Sequence, residues 1–289
     1  MSIEPSREAI EKAYSLARPC RICPRLCEVD RPGDEKGYCG IGDTPLVASA
    51  GPHYGEEPCL VGRGGSGTIF MSGCNLLCEF CQNASISHGA EGRPADPTEI
   101  ATMMLSLQRR GCENINFVTP SHVVPWLMDA VRRARMDELN VPIVYNCGGY
   151  DRVETLEMLE GTVDIYMPDA KFWDAEPSKR YCDAPDYPDR MRESLKEMHR
   201  QVGDLRGVNG VARSGLLVRH LVMPDDRAGS KEILDFLANE VSDNTAVNVM
   251  DQYRPCYRAG EYPEIARRPT SSEYAEVRDH ARELGLRLV

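Results

Sequence analysis

Positive charge is in short supply in this chain of 289 residues, where 34 Lys and Arg face 45 Asp and Glu for a formal net charge of −11. The charges are scattered and form no tail, which excludes a basic nucleic-acid face and implies no polyanionic partner. Apolar runs long enough to span a bilayer are missing too. So is a charged-then-apolar leader: the opening MSIEPSREAIEKAYSLA reads as a polar-faced helix, and the expected compartment is the cytosol, with no membrane partner. No glycine-rich loop follows a first strand, which argues against a group transferase built on a nucleotide-binding sheet.

Cysteine, in contrast, is plentiful, with 12 in the chain. Without an export signal they read as metal ligands or reduced thiols and not as a disulfide framework. Seven of them fall into two groups. CRICPRLCEVDRPGDEKGYCG carries Cys20, Cys23, Cys27 and Cys39 in a Pro/Gly/Asp-rich segment with little apolar material of its own. Such a segment is expected to fold around a metal, and four thiolates suit either structural zinc or an auxiliary 4Fe-4S cluster; the spacing does not choose between them. The second group, GSGTIFMSGCNLLCEFCQN, is a short apolar strand running into a loop with Cys74, Cys78 and Cys81 as CxxxCxxC. Three thiolates on one loop hold three irons of a cubane cluster and leave the fourth open to a ligand.

The rest of the chain alternates helix and strand. PTEIATMMLSLQRRG, opened by Asp96, Pro97 and Thr98 and closed by Gly111, carries helix start and stop signals. NINFVTP, VPIVYN, VDIYMPD, GLLVRHLVMP and TAVNVMD read as buried strands, with helical segments between them and GLRLV as a possible edge strand. LVASAG and PCLVG read as short extended pieces around HYGEEP. Six β-α units imply a parallel sheet covered by helices, with the functional residues at the carboxyl ends of the strands. These ends are SGCN, TPSH, NCGGYD, PDAK, MPDD and DQYRP. Periodicity alone allows an open doubly wound sheet as well as a barrel. The expected division is a four-cysteine module with a turn-rich connector over residues 1–62 and a barrel over 63–289.

CxxxCxxC with Phe80 before its last cysteine resembles the signature of the radical S-adenosylmethionine (SAM) superfamily. HYGEEP, GGYD, VDIYMPDAK and VMDQYRPC are similar to runs in its pyruvate formate-lyase activating enzyme-like group. The resemblance implies an α/β fold, a partial (β/α)6 TIM-like barrel. It also implies a 4Fe-4S cluster on Cys74, Cys78 and Cys81 that binds SAM, cleaves it reductively to a 5′-deoxyadenosyl radical and abstracts hydrogen from a substrate. Phe80 would pack on the adenine, with Gln252 and Tyr253 bracketing it. Asn146, Asp169, Lys171 and Arg219 would hold the methionine and ribose end. At the second strand end a GGE-like motif is expected for the SAM amino group, but TPSH stands there, leaving Thr119 and Ser121 as stand-ins and His122 as a helix-start residue. Tyr145 also stands where an acidic residue is expected.

The partners implied are an electron donor such as flavodoxin or ferredoxin and a small-molecule, peptide or protein substrate. Activases that carry extra cysteines have them after the CxxxCxxC loop, whereas this chain has its module before the first strand. That module is placed to cap the barrel mouth, with His53, Glu56 and Glu57 near the substrate. Cys59, Cys112, Cys147, Cys182 and Cys256 have no partners at ligand spacing and read as unligated thiols. The alternative to an enzyme is a non-catalytic, cysteine-rich zinc-binding scaffold.

Overall fold

Ser6 starts the first helix by accepting a hydrogen bond from the Ala9 amide at 3.0 Å, satisfying a donor that the first helical turn leaves free. The helix, α1, runs Arg7–Ser15 and buries Ile10 and Ala13. The structure, a computed structural model, describes residues 4–289, so the first three residues of the expected helix lie outside the described residues. The cysteine module follows as tight turns with a short 3-10 turn at Arg31–Gly33, closed by Asp30 accepting from the Gly33 amide.

Next come β1 (Leu46–His53), α2 (Pro58–Val61) and β2 (Ser66–Met71). β1 lies antiparallel to β2, so this part of the chain belongs to the barrel sheet and not to the module side of the expected boundary. PCLVG is helical, not extended: Pro58 fits a first helical turn, where its missing N–H needs no partner, and Gly62 at φ 50 ends the element. Then follow α3 (Ala84–Ser87), β3 (Arg93–Pro94), α4 (Pro97–Arg109), β4 (Ile115–Val118), α5 (Val124–Met136), β5 (Ile143–Cys147), α6 (Val153–Met158) and β6 (Ile165–Pro168). The chain continues with α7 (Ala175–Cys182), α8 (Tyr187–Val202), β7 (Arg206–Val208), β8 (Val211–Leu221), α9 (Ser230–Phe236), β9 (Ala246–Met250), α10 (Ser271–Glu283) and β10 (Arg287–Leu288).

In space β2, β4, β5, β6, β8 and β9 are parallel neighbours in that order. β10 extends one edge and β1 and β3 the other, and the two edges do not pair, so the fold is the partial (β/α)6 barrel expected.

Alternation along the strands divides the side chains between two faces. Tyr145, Tyr166, Leu216 and Val218 pack in the large core under the helices. Val144, Ile165, Met167, Leu217 and Ala246 form a second, inner cluster around Leu60 of α2. The chain from Glu57 to Leu60 therefore plugs the barrel from below. Two positions further along the same inner face stand Asn146, Asp169, Arg219 and Asn248, which turn the upper interior polar.

Candidate active site

β2 delivers the CxxxCxxC loop into the top of the barrel. Ser72 is pinned by its amide to the Leu46 carbonyl at 2.8 Å and by its hydroxyl to the Glu91 carbonyl at 2.6 Å. Asn75 then donates to the Tyr150 carbonyl at 2.7 Å, while Leu76, Cys78 and Phe80 are buried in the core. Cys74, Cys78 and Cys81 open onto one cavity of about 350 Å³, a size suited to a cofactor. As bare thiols they are hard to ionise: burial pushes Cys74 up to about 12, and the Cys182 thiol, then burial, pushes Cys78 well above the usual range. Bound iron supplies the positive charge that reverses this. Three thiols facing one cavity from a single loop are a donor set that fits a cubane with its fourth iron left open.

Opposite the thiols lies a charged network. The Asp169 carboxylate accepts from Lys171 Nζ at 2.6 Å and Arg219 Nε at 2.8 Å, and Arg219 Nη2 donates to Asn146 Oδ1 at 2.6 Å. Below them Glu56 accepts from Asn116 at 2.8 Å and stands 3.5 Å from Arg219. Burial alone would raise the Asp169 carboxyl, but Arg219 and Lys171 outweigh it and hold the group below its ordinary value. Glu56 goes the other way: burial, followed by its hydrogen bond with Glu57, pushes it up to about 8. Glu57 is lowered, since its bonds to Glu56 and Asn248 and the charge of Arg219 outweigh burial. One proton is therefore held within this carboxyl pair near neutral pH.

The aromatic wall is Phe80, with Phe172 at 6.0 Å edge-on and Tyr253 at 6.0 Å. Phe80, Gln252, Tyr253, Thr119, Asn146, Asp169, Lys171 and Arg219 all line the cavity, as do His53 and Glu56. Thr119 holds φ 60, a strained value for a β-branched residue, at the end of β4 where the amino-group ligand is expected. Ser121 is not among the lining residues; it is buried beside Asp151 and Tyr145. His122 does not start a helix either, because its buried ring bonds the Ser72 carbonyl at 2.8 Å and α5 begins two residues later.

The family model described as the radical SAM superfamily matches residues 68–237. The chain belongs to the radical SAM superfamily. It is 33% identical over 288 residues to the uncharacterized protein MJ0674 of Methanocaldococcus jannaschii, covering 97% of this chain and 79% of that protein. A radical SAM methyltransferase from Sphaerobacter thermophilus is similar in fold, with a TM-score of 0.53 at 13% identity. That match covers 77% of this chain and 65% of the methyltransferase. The methyltransferase TsrM from Kitasatospora setae, with cobalamin and a [4Fe-4S] cluster bound, scores 0.48 at 16% identity over 64% of this chain and 36% of its own.

As a radical SAM protein the chain uses a 4Fe-4S cluster and SAM, and its described residues include no helix long and apolar enough to cross a membrane. Two features of this radical SAM site escape a reading of the sequence. Cys182 comes from α7, in a stretch too polar to read as a buried helix, and meets the cluster loop only through the fold. The module does not cap the cavity, none of whose lining residues precede His53. It braces the loop from outside, with Arg25 donating to the Asn75 carbonyl at 2.7 Å and the Cys182 carbonyl at 2.8 Å. Cys147 lines the cavity, while Cys59 packs against the inner cluster.

Proposed function

We propose that this radical SAM enzyme cleaves SAM reductively and removes a hydrogen atom from a substrate seated beneath the cofactor, against His53 and Glu56. The observation that carries this reading is one cavity walled by three thiols, an aromatic pair and the Lys171–Asp169–Arg219 network, with the largely buried Glu56 carboxyl at its floor. When bound, cluster and SAM supply a one-electron cleavage and a carbon-centred hydrogen acceptor. The chain's own part is positional. Cys74, Cys78 and Cys81 fix three irons, Phe80 and Tyr253 flank the adenine, and Arg219, Lys171 and Asn146 receive the polar end of SAM.

The floor favours a small molecule or a single side chain as substrate, because Glu56 lies inside the barrel beneath the strand ends. A glycyl-radical-enzyme activase must instead accept a loop of a partner protein. The electron donor is a low-potential carrier such as flavodoxin or ferredoxin, in the cytoplasm. The test is anaerobic incubation with SAM and a strong reductant, followed by assay for 5′-deoxyadenosine. Slow formation without any partner is expected, and none with a fully loaded cluster overturns the reading. Mixed with pyruvate formate-lyase, the protein is expected to give no glycyl doublet in electron paramagnetic resonance.

A further inference from the structure

Each sulfur of the SAM loop lies against a hydrogen-bonding group, and the three groups differ in kind. Cys74 Sγ accepts from the Leu76 amide at 3.3 Å, Cys78 Sγ from the Cys182 thiol at 3.2 Å, and Cys81 Sγ lies 3.2 Å from the Ser87 hydroxyl. The amide has a fixed direction. A hydroxyl rotates, and while Cys81 is a bare thiol either partner can supply the hydrogen between them.

The backbone brings Ser87 to this sulfur. α3 ends at Ser87, and the Gly73 amide donates to the Ile86 carbonyl at 3.0 Å, which fastens the end of the helix to the start of the loop. Ser87 Oγ then meets His88 Nδ1 at 2.9 Å. The His88 ring is itself clamped, with Tyr257 stacked on it at 4.4 Å between centroids. Tyr257 is seated there by its neighbour, since the Arg258 amide donates to the Glu79 carbonyl of the loop at 3.0 Å.

Iron on Cys81 fixes the direction of this chain of contacts. A thiolate that ligates metal has no hydrogen left to give. The hydrogen between Cys81 and Ser87 is then the hydroxyl's, and a hydroxyl that donates its one hydrogen to sulfur turns a lone pair to its other neighbour. That neighbour is His88 Nδ1, which must therefore carry a hydrogen of its own.

We propose that Ser87 is a positioning residue for the SAM-site cluster, donating to the Cys81 sulfur, and that His88 acts through it by holding the hydroxyl in that direction from Nδ1. Hydrogen bonds to cluster sulfurs favour the electron-rich reduced state, so the pair makes the one-electron reduction that precedes SAM cleavage easier. This inference rests on the reading of Cys81 as a cluster ligand.

The test uses the whole protein, reconstituted anaerobically with iron and sulfide, with the electron paramagnetic resonance signal that changes on adding SAM titrated against potential. Ser87→Ala should keep the wild-type iron content and lower the midpoint by about 59 mV, a tenfold loss in reducibility for one electron. His88→Phe keeps a ring for Tyr257 but offers no donor, and should lower the midpoint as well. His88→Asn offers a nitrogen donor without the ring, and should stay near the wild-type value. A purely structural role for His88 predicts the reverse order of these two variants. The double variant Ser87→Ala, His88→Phe should fall no further than Ser87→Ala alone, because His88 acts only through Ser87. An unmoved midpoint in Ser87→Ala overturns the proposal, and a wild-type midpoint in His88→Phe removes His88 from it. A wild-type protein with no SAM-responsive signal overturns the ligand reading itself, and this inference with it.

Discussion

The Cys182 thiol lies 3.2 Å from the Cys78 thiol, although 104 positions separate the two in the chain. α7 is held there by the Glu79 amide donating to the Tyr181 carbonyl at 2.9 Å and by Arg25 on the Cys182 carbonyl. A thiol is a weak donor, but against a thiolate that binds iron it withdraws electron density and favours the reduced cluster. Cys182→Ala should therefore retain the SAM-site iron while lowering that cluster's midpoint potential. A redox titration followed by electron paramagnetic resonance checks this, and an unmoved midpoint counts against the contact.

Single replacement of Cys74, Cys78 or Cys81 by alanine should abolish 5′-deoxyadenosine formation, since two thiolates hold the cubane poorly. The fold should survive, with Cys78→Ala costing the most, about 1 kcal/mol or somewhat more, because Cys78 is the most buried of the three. Product assay and urea denaturation together separate lost chemistry from lost structure. Substantial activity in any one variant contradicts the ligand assignment.

Glu56 gives a pH signature. Its carboxyl is raised from an ordinary 4.5 to about 8, so between these values the folded chain keeps a proton that the unfolded chain has released. Stability from this group is complete below the unfolded value and is lost as pH rises through the folded one. Glu57, which is lowered, contributes above its unfolded value and loses its contribution only on acidification, outside this window. Glu56→Gln should therefore flatten the fall in urea midpoint between about pH 6 and 8. An equal fall in parent and variant would assign the proton elsewhere.

Gly73 sits at φ 79, and a Cβ built there would stand 2.5 Å from the Cys39 carbonyl oxygen. The backbones of the two cysteine groups thus touch at a position that accepts no side chain. Gly73→Ala should release iron from the SAM loop and also disturb the module, read as metal content at both groups. A variant with full metal at both would show that the contact is slack.

Much of this site is readable from the chain because its chemistry is local. The thiols of the CxxxCxxC loop share one turn, and Asp169 and Lys171 follow their strand directly, so spacing and strand ends locate them. Cys182 was hidden because its partner is distant and its helix is polar. α2 was misread because four residues carry too little periodicity to separate helix from strand, and its role as a plug comes from packing against Leu217 and Ala246. Ser121 turned away because Asp151 and Tyr145 offered it a buried partner, which no local pattern announces.

The plug also sets an order of events in the growing chain. Glu57 receives a hydrogen bond from Asn248 at 3.1 Å, across 191 positions of sequence, while Leu60 packs against Leu217. Contacts this remote cannot form until β8 and β9 have left the ribosome, and closing so long a loop is slow. Both cysteine groups are therefore out of the ribosome while the underside of the barrel still stands open, and the floor of the cavity is laid only once β9 has emerged.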